Sequence, residues 1–69
     1  MKNSISILLV EDEPLILMGL KSFFKTVEGT VVSWASDSVT AKKLIENNSF
    51  DLALVDLDLE SELAGLGVI

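Results

Sequence analysis

Three short apolar runs separated by two stretches of helical periodicity constrain this chain more than any other feature. The first, Ile5 to Val10 (Ile-Ser-Ile-Leu-Leu-Val), is closed by Glu11-Asp12-Glu13-Pro14. The second, Thr30 to Ala35 (Thr-Val-Val-Ser-Trp-Ala), is rich in β-formers, and the third, Asp51 to Leu57, holds Leu52-Ala53-Leu54-Val55 without alternation. Runs of this length, bounded by turn and acidic residues, read as strands, and the lack of alternation in the third is that of a strand covered on both faces. Between the first two, Ile16, Leu20, Phe23 and Val27 recur at helical spacing. Helix one is therefore expected from Pro14 to Val27, opened by a proline suited to the first turn and stopped at Gly29. Ser36-Asp37-Ser38 offers capping oxygens for helix two, over Val39 to Asn47, with Ala41, Leu44 and Ile45 inward and Lys42, Lys43 and Glu46 outward. Asn47-Asn48-Ser49 reads as a turn. The stretch from Asp58 to Gly67 is acidic and glycine-punctuated, and reads as a loop with at most a helix beginning near its end.

The order is β-α-β-α-β, and crossovers of this length are right-handed and produce an open parallel sheet with helices on both faces. The expected class is α/β. Sixty-nine residues supply one small core, and no repeat, linker or low-complexity segment divides them, so residues 1–69 are read as a single domain. A hydrophobic content of 49% with only 23% charged residues is the composition of a packed chain, not a disordered one.

Composition then narrows the chemistry. The absence of cysteine and histidine removes disulfides, thiol nucleophiles, imidazole bases and haem ligation together. Eleven acids against five lysines, with no arginine, give a net charge of -6, which argues against a sequence-independent grip on nucleic acid phosphates. Every charged residue after Lys43 is acidic. No apolar stretch approaches the ~18 residues of a membrane span, and Ile5 to Val10 is too short for a signal-peptide core. The expected location is the cytoplasm, with no membrane and no direct nucleic acid contact.

Candidate site residues lie at the strand ends. Ligands of open α/β sheets bind outside the carboxyl ends of the strands, where strand order reverses. With strand one between strands two and three, Glu11, Asp12 and Asp56 converge. Three neighbouring carboxylates either raise a pKa or bind a cation, and an all-oxygen site with room for water suits Mg²⁺. Against this stands a simpler reading, in which Glu11 to Glu13 are acids favoured by a helix dipole. That reading is harder to extend to Asp56, because a carboxylate in an apolar strand is costly unless paired or metal-bound.

Ile7-Leu8-Leu9-Val10-Glu11-Asp12-Glu13-Pro14 and Asp51-Leu52-Ala53-Leu54-Val55-Asp56-Leu57, at their β-α spacing, resemble the receiver domain of two-component response regulators. The resemblance implies a flavodoxin-like parallel sheet, here truncated to the β-α-β-α-β part with the start of a third helix. It implies that Asp56 is the phosphoacceptor and Asp12 a direct Mg²⁺ ligand, with Glu11 acting mainly through metal-bound water and Asp58 offering its backbone carbonyl. It further implies a phosphoryl donor on a sensor histidine kinase or phosphotransfer protein, and a signalling module in place of an enzyme. The match departs from the family in the loop after Asp56, where Glu60 replaces a usual proline and Gly65 falls one residue late behind Ala64. The family's hydroxyl residue after strand four and lysine after strand five have no counterpart within these 69 residues.

Three other readings are weighed beside it. Leu54-Val55-Asp56-Leu57-Asp58 also resembles the D-x-D motif of haloacid-dehalogenase-type phosphohydrolases, although Leu59-Glu60 follows where threonine or valine is usual. A calcium loop over Asp56-x-Asp58-x-Glu60 fails because Ser61 stands where glycine is required. An interaction or dimerisation module without phosphorylation is the stronger alternative, since strand three would expose an apolar edge open to self-association. Trp34 and Phe23 are expected as packing residues, Phe23 in the core.

Overall fold

The computed structural model describes residues 4–67. Its elements run β1 (Ile5–Val10), α1 (Pro14–Lys25), β2 (Thr30–Ala35), α2 (Ser38–Asn47), β3 (Leu52–Val55) and α3 (Leu57–Gly65). The three strands are parallel in the order β2-β1-β3, so β1 is central and β3 is an edge. Ile7 and Leu9 stand beside Val32 and Trp34 of β2 and Leu52 and Leu54 of β3. Because strand side chains alternate, these residues share one face and Leu8, Val10, Ala35 and Val55 share the other.

The second face carries the core. Leu8, Val10, Ala35, Ala41, Leu59 and Leu63 form one buried cluster, with Leu44, Ile45, Phe50 and Val55 packed against it. Helices α2 and α3 therefore close this side. Helix α1 lies over the other face, where Ile7 and Leu9 are buried. No residue of α1 itself is buried.

Local chemistry fixes the element ends. Glu13 caps α1 by accepting the Leu15 N–H at 3.4 Å, and Pro14 occupies the first turn. Helix α1 ends at Lys25, two residues earlier than its apolar spacing suggests, because Thr26 turns back. The Thr26 N–H and hydroxyl both donate to the Phe23 carbonyl, at 3.0 and 2.7 Å. Gly29 follows at φ +82°, a backbone state that L side chains disfavour. Asp37 caps α2, accepting the Thr40 N–H at 2.7 Å and its hydroxyl at 3.0 Å, which starts the helix at Ser38. Strand β3 is four residues long, shorter than the apolar run. Asp51 precedes it and is tied to Ser6 by two hydrogen bonds of 2.8 Å, one to its backbone and one from it.

Two expectations are corrected. The segment from Asp58 to Gly67 is mostly helix, not loop, because Leu59 and Leu63 are one turn apart on the same face and both bury against α2 and the sheet. Phe23 is 59% exposed, not core. The half-buried line of α1 is Leu17, Leu20, Lys21 and Phe24 instead. Its ring packs edge-on against that of Phe24, with centroids 5.1 Å apart.

Candidate metal centre

Two backbone hydrogen bonds carry the ladder just past the strands and set the site. The Glu11 N–H donates to the Ala35 carbonyl at 3.1 Å, and the Asp56 N–H donates to the Val10 carbonyl at 3.0 Å. The residues that follow β1 and β3 are thereby held side by side at the carboxyl end of the sheet. Glu11, Asp12 and Asp56 each turn a carboxylate oxygen into one group whose members all lie within 4.8 Å of one another. Glu11 is buried, Asp56 half-buried and Asp12 exposed. An apolar cleft of about 270 Å³ formed with Leu20 and Leu54 adjoins Glu11 and Asp56. Nothing in the sequence pattern marked that cleft, because Leu20 and Leu54 lie far apart along the chain.

The three acids are held differently. Glu11 Oε2 accepts the Glu13 N–H at 3.1 Å, while Asp56 Oδ1 accepts the Asp58 N–H at 2.9 Å and so caps α3. Glu13, read from the sequence as an acid favoured by the helix dipole, stands at the N-cap of α1, outside its first turn. Asp56 takes a cap role that the sequence reading missed. Asp58 lies in the first turn of α3, exposed, and its carboxylate stands outside the converging group. Glu60 and Glu62 are exposed on the same helix.

The electrostatics are those of a site short of positive charge. The Glu13 N–H, the largest single influence on the Glu11 carboxyl, holds its pKa down. Burial and the neighbouring Asp56 and Asp12 carboxyls together outweigh it, so the pKa is raised above the ordinary glutamate value. None of the three acids is ion-paired with a described lysine; the described salt bridge, Lys42 to Glu46 at 2.8 Å, lies on α2. Hard oxygen donors, crowded and unpaired, fit a small divalent cation of the Mg²⁺ type, which binds through one or two carboxylates and keeps other positions for water or phosphate oxygens.

The sequence profile of the response regulator receiver domain matches residues 7–69. The TorCAD operon transcriptional regulatory protein TorR of Escherichia coli K12 is 39% identical over 56 residues, covering 81% of this chain and 24% of TorR. The probable C4-dicarboxylate response regulator DctR of Priestia megaterium is 32% identical over 62 residues, covering 88% of this chain and 27% of DctR. The chain thus spans about a quarter of the length of these curated relatives. No solved structure gives a significant match.

Proposed function

From the premise that this chain belongs to the response regulator receiver domain family, we propose that Asp56 accepts a phosphoryl group from a sensor histidine kinase or phosphotransfer protein. Residues 1–69 are taken as receiver-domain sequence of a two-component system, a signalling module and not an enzyme, working in the cytoplasm. Among the described residues no helix is long and apolar enough to cross a membrane. The observation that carries the reading is the convergence of the Glu11, Asp12 and Asp56 carboxylates within 4.8 Å at adjoining strand ends.

In the proposed step an Asp56 carboxylate oxygen attacks phosphorus, an O–P bond forms, and the P–N bond of the donor phosphohistidine breaks with release of its imidazole. Bound Mg²⁺ supplies the positive charge that offsets repulsion between the aspartate and the phosphoryl oxygens. Asp12 and Asp56 would hold the metal directly, and Glu11 would act on it through water. The Asp58 N–H holds Asp56 Oδ1, which orients the carboxylate. As the proposed carbonyl ligand, Asp58 requires the first turn of α3 to open, since helical carbonyls point toward the C-terminal end. That demand makes the Asp56–α3 junction the natural element for a population shift on phosphorylation.

Titration with Mg²⁺ followed by amide NMR tests the metal half of the reading. Saturable shifts confined to the Glu11, Asp12 and Asp56 region, lost in Asp12→Asn, are expected; unchanged spectra refute it.

A second reading, self-association through the sheet edge, is favoured by one observation. Among the described residues β3 pairs on one side only, and Leu52 and Leu54 beside that edge are 47% and 38% exposed. Sedimentation over a concentration series should then show a dimer that Leu54→Lys dissociates. A species that stays monomeric throughout removes this reading.

A further inference from the structure

On the face of the sheet covered by α1, a cavity of about 340 Å³ opens between that helix and the β2 edge. It is lined by Lys21, Phe24, Lys25, Thr30, Val32 and Trp34. Thr30, Val32 and Trp34 alternate along β2 and so present a continuous floor. Lys21 and Lys25 are four apart on α1, which puts them on one side of the helix, within reach of a single bound group.

The charge here is opposite in sign to the rest of the molecule. The chain carries -6 overall, yet this cavity is flanked by two of its five lysines, and neither is ion-paired with any described residue. The Lys21 ammonium lies 3.7 Å from the centre of the Trp34 ring, so it is drawn over the cavity wall. Trp34 remains 49% exposed despite that contact. The Thr30 hydroxyl proton is already committed to the Phe24 and Val27 carbonyls, at 3.2 and 2.9 Å, leaving the two ammonium groups as the cavity's charged donors.

We propose that this cavity binds a small organic carboxylate carried on an aromatic body, the carboxylate bridging Lys21 and Lys25 and the body packing on Phe24, Val32 and Trp34. Its volume falls at the low end of small-molecule sites, which run from ~300 to ~1,000 Å³. A cationic ligand is disfavoured because two ammonium groups, Lys21 and Lys25, already flank the cavity. A phosphoryl dianion needs more converging donors than two flexible lysines provide. The site is independent of the acidic group between β1 and β3 and of the role proposed for Asp56.

The test is titration of the 69-residue chain with 4-phenylbutyrate, read by amide NMR and by fluorescence of Trp34, its single tryptophan. The expected result is saturable binding with shifts centred on α1 and β2. It should be about tenfold weaker for the neutral 4-phenylbutanol, the scale of one charge-assisted hydrogen bond. It should weaken about as much in Lys21→Gln/Lys25→Gln, and not in Lys42→Gln/Lys43→Gln, which removes equal charge elsewhere. Equal binding of the alcohol, an unchanged affinity in the Lys21/Lys25 variant, or no saturation up to the solubility limit of the probe each overturns the proposal.

Discussion

Replacing Leu63 by alanine removes three carbons from a side chain with no exposed surface, packed among Leu8, Val10, Ala35, Ala41 and Leu59. Transfer alone accounts for about 2.4 kcal/mol, at ~0.8 kcal/mol for each buried carbon group. The void left behind adds to this, so the cost should fall within the ~2–5 kcal/mol typical of buried Leu→Ala changes. A 69-residue chain has a total stability of roughly 3–10 kcal/mol. Leu63→Ala should therefore remove roughly a fifth of it at the least, and far more if the chain lies at the low end of that range. Urea unfolding monitored by far-ultraviolet circular dichroism reads this as a large fall in midpoint at unchanged slope. Leu66→Ala, one turn on but 42% exposed, is the comparator and should cost less than about 1 kcal/mol. If Leu63→Ala and Leu66→Ala both stay within ~0.5 kcal/mol of the parent, α3 is not docked on the core and the account of residues 57–65 fails.

Two glycines should respond with opposite signs. Gly29→Ala, at φ +82°, should destabilise by about 1–2 kcal/mol, whereas Gly19→Ala, mid-helix with no atom within 4 Å of the added methyl, should stabilise by up to ~1 kcal/mol in the same urea assay. The two perturbed carboxyls also oppose each other. The Thr40 N–H foremost, then its hydroxyl and Lys43, hold the Asp37 pKa below the ordinary value, so its contribution is complete above the unfolded pKa and is lost as pH falls through the folded one. Asp37→Asn should flatten the stability profile there. Glu11, with a raised pKa, costs stability as pH climbs from the ordinary glutamate range through its folded value, and Glu11→Gln should remove that decline.

Much of this architecture could be read directly from local pattern. β1 and β2 begin and end where the apolar runs do, because an acidic cluster, Gly29 and Ser36-Asp37 bound them chemically. Glu11, Asp12 and Asp56 could be paired in advance because adjacent parallel strands bring their carboxyl ends together whatever lies between. Only the start of helix α3 is foreseeable from the sequence, because Asp58, Glu60, Glu62, Gly65 and Gly67 look like loop chemistry. Its true signal was the Leu59–Leu63 spacing after a capping aspartate, with Asp58 and Glu60 in the first turn where a helix dipole favours acids. Phe23 was misjudged for a different reason. A helix pattern identifies apolar positions, but which of them are buried depends on what the helix packs against. Helix α1 packs chiefly on β1 and β2, and they cover the Leu20–Phe24 side.

The proposed phosphoryl transfer to Asp56, on a carboxylate cluster crowded enough to hold a divalent cation, is checked with beryllofluoride, a phosphoryl mimic, by ¹⁹F NMR recorded with and without Mg²⁺ on the parent chain and on Asp56→Asn. Bound-fluoride resonances are expected only with Mg²⁺ present and only in the parent. Resonances that persist in Asp56→Asn, or none in the parent at saturating Mg²⁺, would overturn the role proposed for Asp56.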